Sequence, residues 1–250
     1  MNPWLGYLCR WPLLPWVILR GRRLRRDIPS LPEAPGPRVG GDASAPLHLL
    51  TLGESPIAGV GLDHQRDNLA PEVARRLSLR LNDSVAWTIL GQKGIRLAEL
   101  LPLFEDHLPP RTDFIFISMG VNDCKEATAV RAWRRQWRAV LHALKERYPR
   151  ARVLCCTLPP FASFPSLPWS VRQFLSARAT LMDHALSEEL RGWPDVALLR
   201  LPPQLEPEAF AADGFHPNAL AHRRWASVVE RALVESPGTK SGQVVDLDAP

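Results

Sequence analysis

Residues 46–59, PLHLLTLGESPIAG, decide how the chain is read. The run from Leu47 to Leu52 is short and almost wholly apolar, which predicts a buried strand. It stops at Gly53-Glu54-Ser55-Pro56, a turn. A buried parallel strand that ends in a glycine turn presents its last side chains at the carboxyl edge of the sheet, where open α/β folds hold their ligands. Ser55 is therefore a candidate nucleophile. A Gly-x-Ser turn is a weak signal by itself, so the chain must also supply a base, a group to orient it and donors for an oxyanion.

Beyond this stretch, apolar runs alternate with amphipathic ones. Strands are expected at 47–53, 85–90, 112–119, 151–158 and 196–201, and helices at 67–81, 95–107, 126–147, 170–191 and 217–235. Near-continuous apolar strands between amphipathic helices predict a parallel sheet covered on both faces. In helix 126–147, Trp133, Trp137, Val140, Leu141 and Leu144 recur at helical spacing and should face the sheet. Arg131, Arg134, Arg135 and Arg138 lie on another side, read as a solvated basic face, with docking to anionic lipid or nucleic acid as the sharper alternative. No nucleic-acid-binding motif is present, and no nucleic-acid partner is expected.

The two ends read differently. Residues 1–26 carry the apolar stretch Trp11–Leu19 between Arg10 and the cluster Arg20, Arg22, Arg23, Arg25 and Arg26. That stretch is too short for a membrane-spanning helix, which needs about 20 residues. Pro12 and Pro15 disfavour a regular helix. A secretory signal would put positive charge before the apolar core and a small-residue cleavage site after it, and neither pattern is found. Two readings stand: an ordered arm packed on the domain, or a peripheral membrane anchor with Trp4, Trp11 and Trp16 at headgroup level. Residues 27–45 are Pro- and Gly-rich, a linker or surface-hugging arm, so that 1–45 precede a domain of 46–235. Residues 236–250 read as a disordered tail.

Composition sets the remaining bounds. An apolar fraction of 46% across 250 residues allows a sizeable core. The formal net charge is +5 and is concentrated in arginine-rich patches. Four cysteines, two of them adjacent at 155 and 156, form neither a disulfide framework nor a CxxC pair. With no HExxH either, no metal is expected. The cysteine usage suits a reducing, cytoplasmic compartment.

Three further segments fall on the edge that carries Ser55. The third strand runs into Gly120-Val121-Asn122-Asp123, where the Asn122 amide is a candidate oxyanion donor. Asp213-Gly214-Phe215-His216-Pro217 follows the fifth strand. An acid three residues before a histidine in a turn can hold one imidazole nitrogen and leave the other free as a general base. After the second strand comes Gly91-Gln92-Lys93-Gly94, where Gly94, opening a helix, offers an N–H without an intrahelical acceptor. The loop Leu158–Trp169 is rich in proline and aromatics. Phe161, Phe164 and Trp169, with Leu167, are candidates for an apolar pocket wall suited to an acyl chain.

Taken together, Gly53-Glu54-Ser55, Gly94, Gly120-Val121-Asn122-Asp123 and Asp213 through Pro217 resemble the successive blocks of the GDSL-like, or SGNH, serine hydrolases, over about residues 46–235. The resemblance implies a flavodoxin-like three-layer α/β/α sandwich on a five-stranded parallel sheet of order 2-1-3-4-5. It also implies a shallow site that hydrolyses an ester or thioester without a cofactor. On this reading Ser55, His216 and Asp213 form a triad, and Ser55, Gly94 and Asn122 an oxyanion hole, with Gly91 the less favoured glycine. The substrate is a small-molecule ester or lipid. The chain departs from the family in carrying Glu54 where the family usually has Asp, and Arg96 where a small hydroxyl residue is common. The alternative is a non-catalytic membrane-surface or binding module of the same fold. The α/β-hydrolase elbow, G-x-S-x-G, is excluded by Ile57 in its last position.

Overall fold

Strand β2, Leu47–Gly53, is the centre from which the rest can be placed. The computed structural model describes residues 3–27, 29–193, 195–235 and 244–246. In chain order the strands are β1 (Val39–Gly40), β2, β3 (Val85–Gly91), β4 (Phe114–Ser118), β5 (Arg152–Cys156), β6 (Val196–Arg200) and β7 (Val244–Asp246). The helices are α1 (Pro3–Leu8), α2 (Leu14–Asp27), α3 (Leu69–Leu81), α4 (Leu97–Phe104), α5 (Val121–Lys125), α6 (Val130–Arg147), α7 (Trp169–Leu190) and α8 (Ala219–Glu235). The sheet order is β1-β3-β2-β4-β5-β6-β7. Its five long strands, β2 to β6, are parallel in the expected order.

Among the described residues the sheet has seven strands where five were expected. Strand β1 pairs antiparallel with β3 at Trp87 and Thr88, and β7 pairs parallel with β6. Both are too short to carry a legible hydrophobic period. Strand β1 lies in the Pro- and Gly-rich stretch ahead of Pro46, and β7 lies in the segment expected to be a tail. The rest of 236–250 falls outside the described residues.

Alternation along the strands divides the core in two, because successive strand side chains point to opposite faces. Leu50, Leu52, Ile115, Ile117, Val153 and Cys155 pack on one face, against α4, α6 and α7. Leu49, Phe114, Phe116, Leu154 and Cys156 pack on the other, against α3 and α8. This is the three-layer sandwich. The α6 stripe behaves as its spacing predicts: Trp133, Trp137, Val140, Leu141 and Leu144 are all buried. Two of the four arginines on its other side, Arg134 and Arg138, pair with buried Glu189 of α7 and so are not a free anionic dock.

Local chemistry sets the helix bounds. Helix α3 starts after Asn68, whose side chain accepts the Leu69 N–H at 2.6 Å, and stops at Asn82, left-handed at φ 52°. Helix α6 starts four residues later than its apolar period suggests, because Ala127 takes φ 57° and breaks the run from α5.

The N-terminal segment is helical, against expectation. Pro12 lies within a single 3-10 turn, Trp11–Leu13, and Pro15 in the first turn of α2, where a missing N–H costs nothing. Tyr7, Leu14 and Val17 pack on the core, and the Tyr7 ring lies 5.4 Å from Phe174 of α7. Buried Arg178 of α7 stacks on Tyr7 at 5.8 Å and donates to the carbonyls of Cys124, in α5, and Thr128, just after it. No described helix is long and apolar enough to cross a membrane. Residues 29–40 hug the surface: Glu33 accepts the Lys93 N–H at 2.6 Å, and the Gln65 amide donates to the Ala34 carbonyl at 3.0 Å.

Candidate active site

Parallel strands of similar length end together, so their loops gather at one edge. Gly53 lies beside Gly91 and Ser118 across the sheet. A Cβ on Gly53 would stand 2.5 Å from the Ser118 carbonyl oxygen, so only glycine lets β2 turn here. Ser55 follows in a tight turn closed by the Ala58 N–H to the Glu54 carbonyl and the Val60 N–H to the Ser55 carbonyl, both at 3.0 Å.

His216 reaches Ser55 from the loop before α8. Its Nε2 lies 3.1 Å from the Ser55 Oγ, and its Nδ1 lies 2.5 Å from Asp213 Oδ2. The other Asp213 oxygen, Oδ1, accepts the N–H groups of Phe215 and His216, each at 3.0 Å. Burial raises the Asp213 pKa, but hydrogen bonds from the His216 ring and from the backbone of His216 and Phe215 outweigh it. They hold the carboxyl below its ordinary value. An ionised carboxylate only accepts, so the Nδ1 proton faces it and Nε2 is left to take the serine hydroxyl proton.

Glu54 organises the next loop, a role the sequence reading missed. It is 1% exposed. One carboxylate oxygen accepts the Val121 N–H at 2.7 Å, and the other accepts the Asn122 N–H at 3.0 Å and the Asn122 side-chain Nδ2 at 2.5 Å. Burial pushes its carboxyl up to about 7, against the pull of the two backbone N–H groups and Lys125. The extra methylene relative to Asp gives the carboxylate the reach to bind side chain and backbone together. An acid at the end of a buried strand needs such partners, and that was the available signal. Asp123 points the other way. It accepts the Leu97 N–H at 2.8 Å and so caps α4.

The oxyanion candidates are placed unequally. Asn122 is buried beside Glu54, but Nδ2 donates to Glu54 and also to the Ile95 carbonyl at 3.0 Å, which engages both of its hydrogens. The Ser55 and Gly94 N–H groups have no acceptor among the described residues. Gly94 has φ 86°, is exposed and stands outside the residues that line the cleft. Gly91 is packed against Ala58, 2.6 Å from where its Cβ would be, and acts as a close-packing glycine.

A cleft of about 360 Å³ opens at Ser55 and His216. Its wall is mostly apolar, with Met119, Leu158, Phe164, Leu205, Phe210 and Trp225, and Gln204, Glu206 and Arg224 also line it. Val228 of α8 also lines it. Of the three aromatic residues proposed for the wall, only Phe164 lines it. Phe161 is fully buried against Phe164, with ring centroids 5.3 Å apart, and Trp169 is 66% exposed and lines no part of the cleft. Most of the wall comes from 201–228, where the sequence shows only a loop and a helix face.

Comparison with known proteins bears on the family and the fold. Residues 51–224 match the model of the GDSL-like Lipase/Acylhydrolase family. Among solved structures, the chain is similar to the lipase Lip_vut3 from a goat rumen metagenome, at 17% identity and a TM-score of 0.59 over 77% of this chain and 98% of that one. It is also similar to a carbohydrate esterase family 2 enzyme with a carbohydrate-binding domain from Corynascus thermopiles (Myceliophthora fergusii), at 17% identity and 0.62 over 82% and 68%. A third is a family two carbohydrate esterase from Clostridium thermocellum, at 14% identity and 0.58 over 83% and 68%. These likenesses show the fold. No curated protein sequence matches the chain.

Proposed function

The chain belongs to the GDSL-like lipase/acylhydrolase family, and from that premise we propose that it is a serine esterase that cleaves carboxylic esters or thioesters of apolar acyl groups. The observation that carries the reading is the Ser55–His216–Asp213 line, 3.1 and 2.5 Å, set at the mouth of an apolar cleft. Ser55 Oγ attacks the carbonyl carbon as His216 Nε2 takes its proton. Asp213 holds the tautomer and stabilises the imidazolium. The Ser55 N–H and an Asn122 hydrogen released from the Ile95 carbonyl receive the negative oxygen, and the Gly94 N–H, which stands outside the cleft, joins them only once its loop swings toward Ser55. The bond to the leaving alcohol or thiol breaks, and the leaving group departs with the proton from His216. Water, deprotonated by His216, then attacks the acyl-enzyme and releases the acid.

Apolar walls and a volume at the small end of the roughly 300–1,000 Å³ typical of ligand sites favour an acyl chain over a bare sugar. A fluorophosphonate probe should label the parent at Ser55 and leave Ser55→Ala unlabelled. Aryl esters from acetate to decanoate should be turned over, with an optimum above acetate. Equal labelling of the two proteins would overturn the nucleophile assignment. An unlabelled parent without turnover would favour the non-catalytic module. The thiols of Cys124, Cys155 and Cys156 are buried and raised in pKa by that burial, so they are inert. We place the enzyme in a reducing cytoplasm, peripheral to the membrane; its recovery outside the cytosolic and membrane fractions would count against this.

A further inference from the structure

We propose that the outer face of α1 and α2 docks on the surface of an anionic lipid bilayer. Helix α2 has two sides. Leu14 and Val17 pack on the core, whereas Trp16, Leu19, Arg20 and Arg23, spaced i, i+3, i+4 and i+7, share the opposite, exposed side. Leu5, Leu8 and Trp11 continue the exposed apolar surface toward the start of the arm, at 57%, 51% and 52% exposure. Large apolar side chains left out on one face in this way mark an interaction site.

Charge identifies the partner. Residues 1–26 hold six arginines and no acidic residue, out of 31 basic and 26 acidic residues in the whole chain. The remainder therefore carries 25 against 26, a net charge of −1, and the entire positive excess sits on the arm. Tryptophan and leucine beside arginine, on a helix too short to span, suit the boundary between acyl chains and headgroups. A nucleic acid would satisfy the arginines and leave the apolar half in water. A second copy meeting this face about a two-fold axis would set Arg20 and Arg23 against the same arginines of the other copy. The bilayer satisfies both halves at once.

Pro3, at the start of α1, lines the same depression as Pro159, Pro160 and Phe161, and Pro159 also lines the cleft. A bilayer seated on the arm therefore lies next to the cleft wall.

The test is co-sedimentation with vesicles of phosphatidylcholine alone and of phosphatidylcholine mixed with phosphatidylglycerol, over a range of salt. Binding is expected to be at least about tenfold tighter to the anionic vesicles and to weaken with salt. Arg20→Glu/Arg23→Glu, at two exposed sites, should reduce it by about tenfold or more, at roughly fivefold for each charge removed. Trp11→Ala/Trp16→Ala should lower it comparably on both kinds of vesicle. Turnover of a soluble short ester, which the arm does not contact, should be unchanged in both variants, and Ser55→Ala should bind like the parent. Docking is thus read separately from the chemistry. Absent or equal binding to the two vesicle types overturns the proposal. So does undiminished binding by the charge-reversal variant, which carries the test alone if the tryptophan variant does not fold. A dimer in sedimentation that the tryptophan variant splits, or binding to an oligonucleotide in preference to the vesicles, also overturns it.

Discussion

Replacing Asp213 by Asn should damage the enzyme through a proton in the wrong place. Oδ1 already accepts two backbone N–H groups at 3.0 Å, those of Phe215 and His216. In Asp213→Asn the amide oxygen must keep that position, because an NH₂ there would face two donors. The NH₂ is then forced toward His216 Nδ1, where the carboxylate stood at 2.5 Å. A donor opposite Nδ1 makes Nδ1 the acceptor, and the ring proton moves to Nε2, the atom that must receive the serine proton. The imidazolium also loses its counter-charge. The expected loss in kcat is up to about 10⁴, the scale seen when a triad acid is changed to its amide, which corresponds to roughly 5.5 kcal/mol of barrier. Initial rates on p-nitrophenyl butyrate at saturation would measure it, with circular dichroism to check the fold and nitrogen NMR to read the His216 tautomer. A loss below about tenfold, with the Nδ1 tautomer retained, would refute this reasoning and leave Asp213 as a turn residue.

Asn122→Ala should lower kcat by about 10²–10³ with little change in KM, as expected for one oxyanion donor; a raised KM at normal kcat would mean that Asn122 only binds substrate. Ala221→Phe should fill part of the cleft, so that kcat/KM for decanoate and octanoate esters falls by at least about tenfold while acetate is spared; equal losses across the series would count against an acyl channel. Glu54 should make stability fall with rising pH. Its folded pKa of about 7 lies above its ordinary 4.5, so the folded state binds the extra proton between those values. Unfolding free energy should therefore drop by about 3 kcal/mol from pH 4.5 to 7, at about 1.4 kcal/mol for each pH unit crossed. Urea titrations of Glu54→Gln should show a slope shallower than the parent's by this amount, buried Asp183, also pushed up to about 7, keeping its own share, and a parent-like slope in the mutant would assign all of it to other groups.

The fold is legible where a run of side chains has to obey one period. Leu47–Leu52 and the α6 stripe are examples, and Leu47–Leu52 with four more apolar runs orders the parallel sheet. The Ser55–His216–Asp213 line is legible because strand order alone brings Ser55 and the Asp213–His216 loop to one edge. What escapes depends on contacts distant in sequence. Glu54 reads as a minor variant of Asp until its carboxylate is seen holding Asn122. The cleft wall from Leu205, Phe210 and Trp225 carries no local pattern that separates it from an ordinary core face. Phe161 illustrates the converse, since an aromatic in an active-edge loop can equally well be core. The helical arm is hidden because Pro12 and Pro15 read as breakers, although both fall where a helix tolerates them.

Arg178 gives the arm a role beyond its outer face. The carbonyls of Cys124 and Thr128, at and just past the end of α5, meet on this guanidinium, and Tyr7 lies over it. Shortening the chain to begin at residue 28 would uncover the guanidinium to water. The five-residue α5, which carries Asn122, would keep its bonds to Glu54, Leu97 and Ile95 but would have its contact with Arg178 opened to water. Such a short helix opens by local unfolding at small free-energy cost. Amide hydrogen exchange at Asn122–Lys125 should therefore quicken in the shortened chain while the α6 amides keep their protection. The arm is in that sense part of the support for the active-site loop, and unchanged exchange across α5 would show that the two are energetically separate.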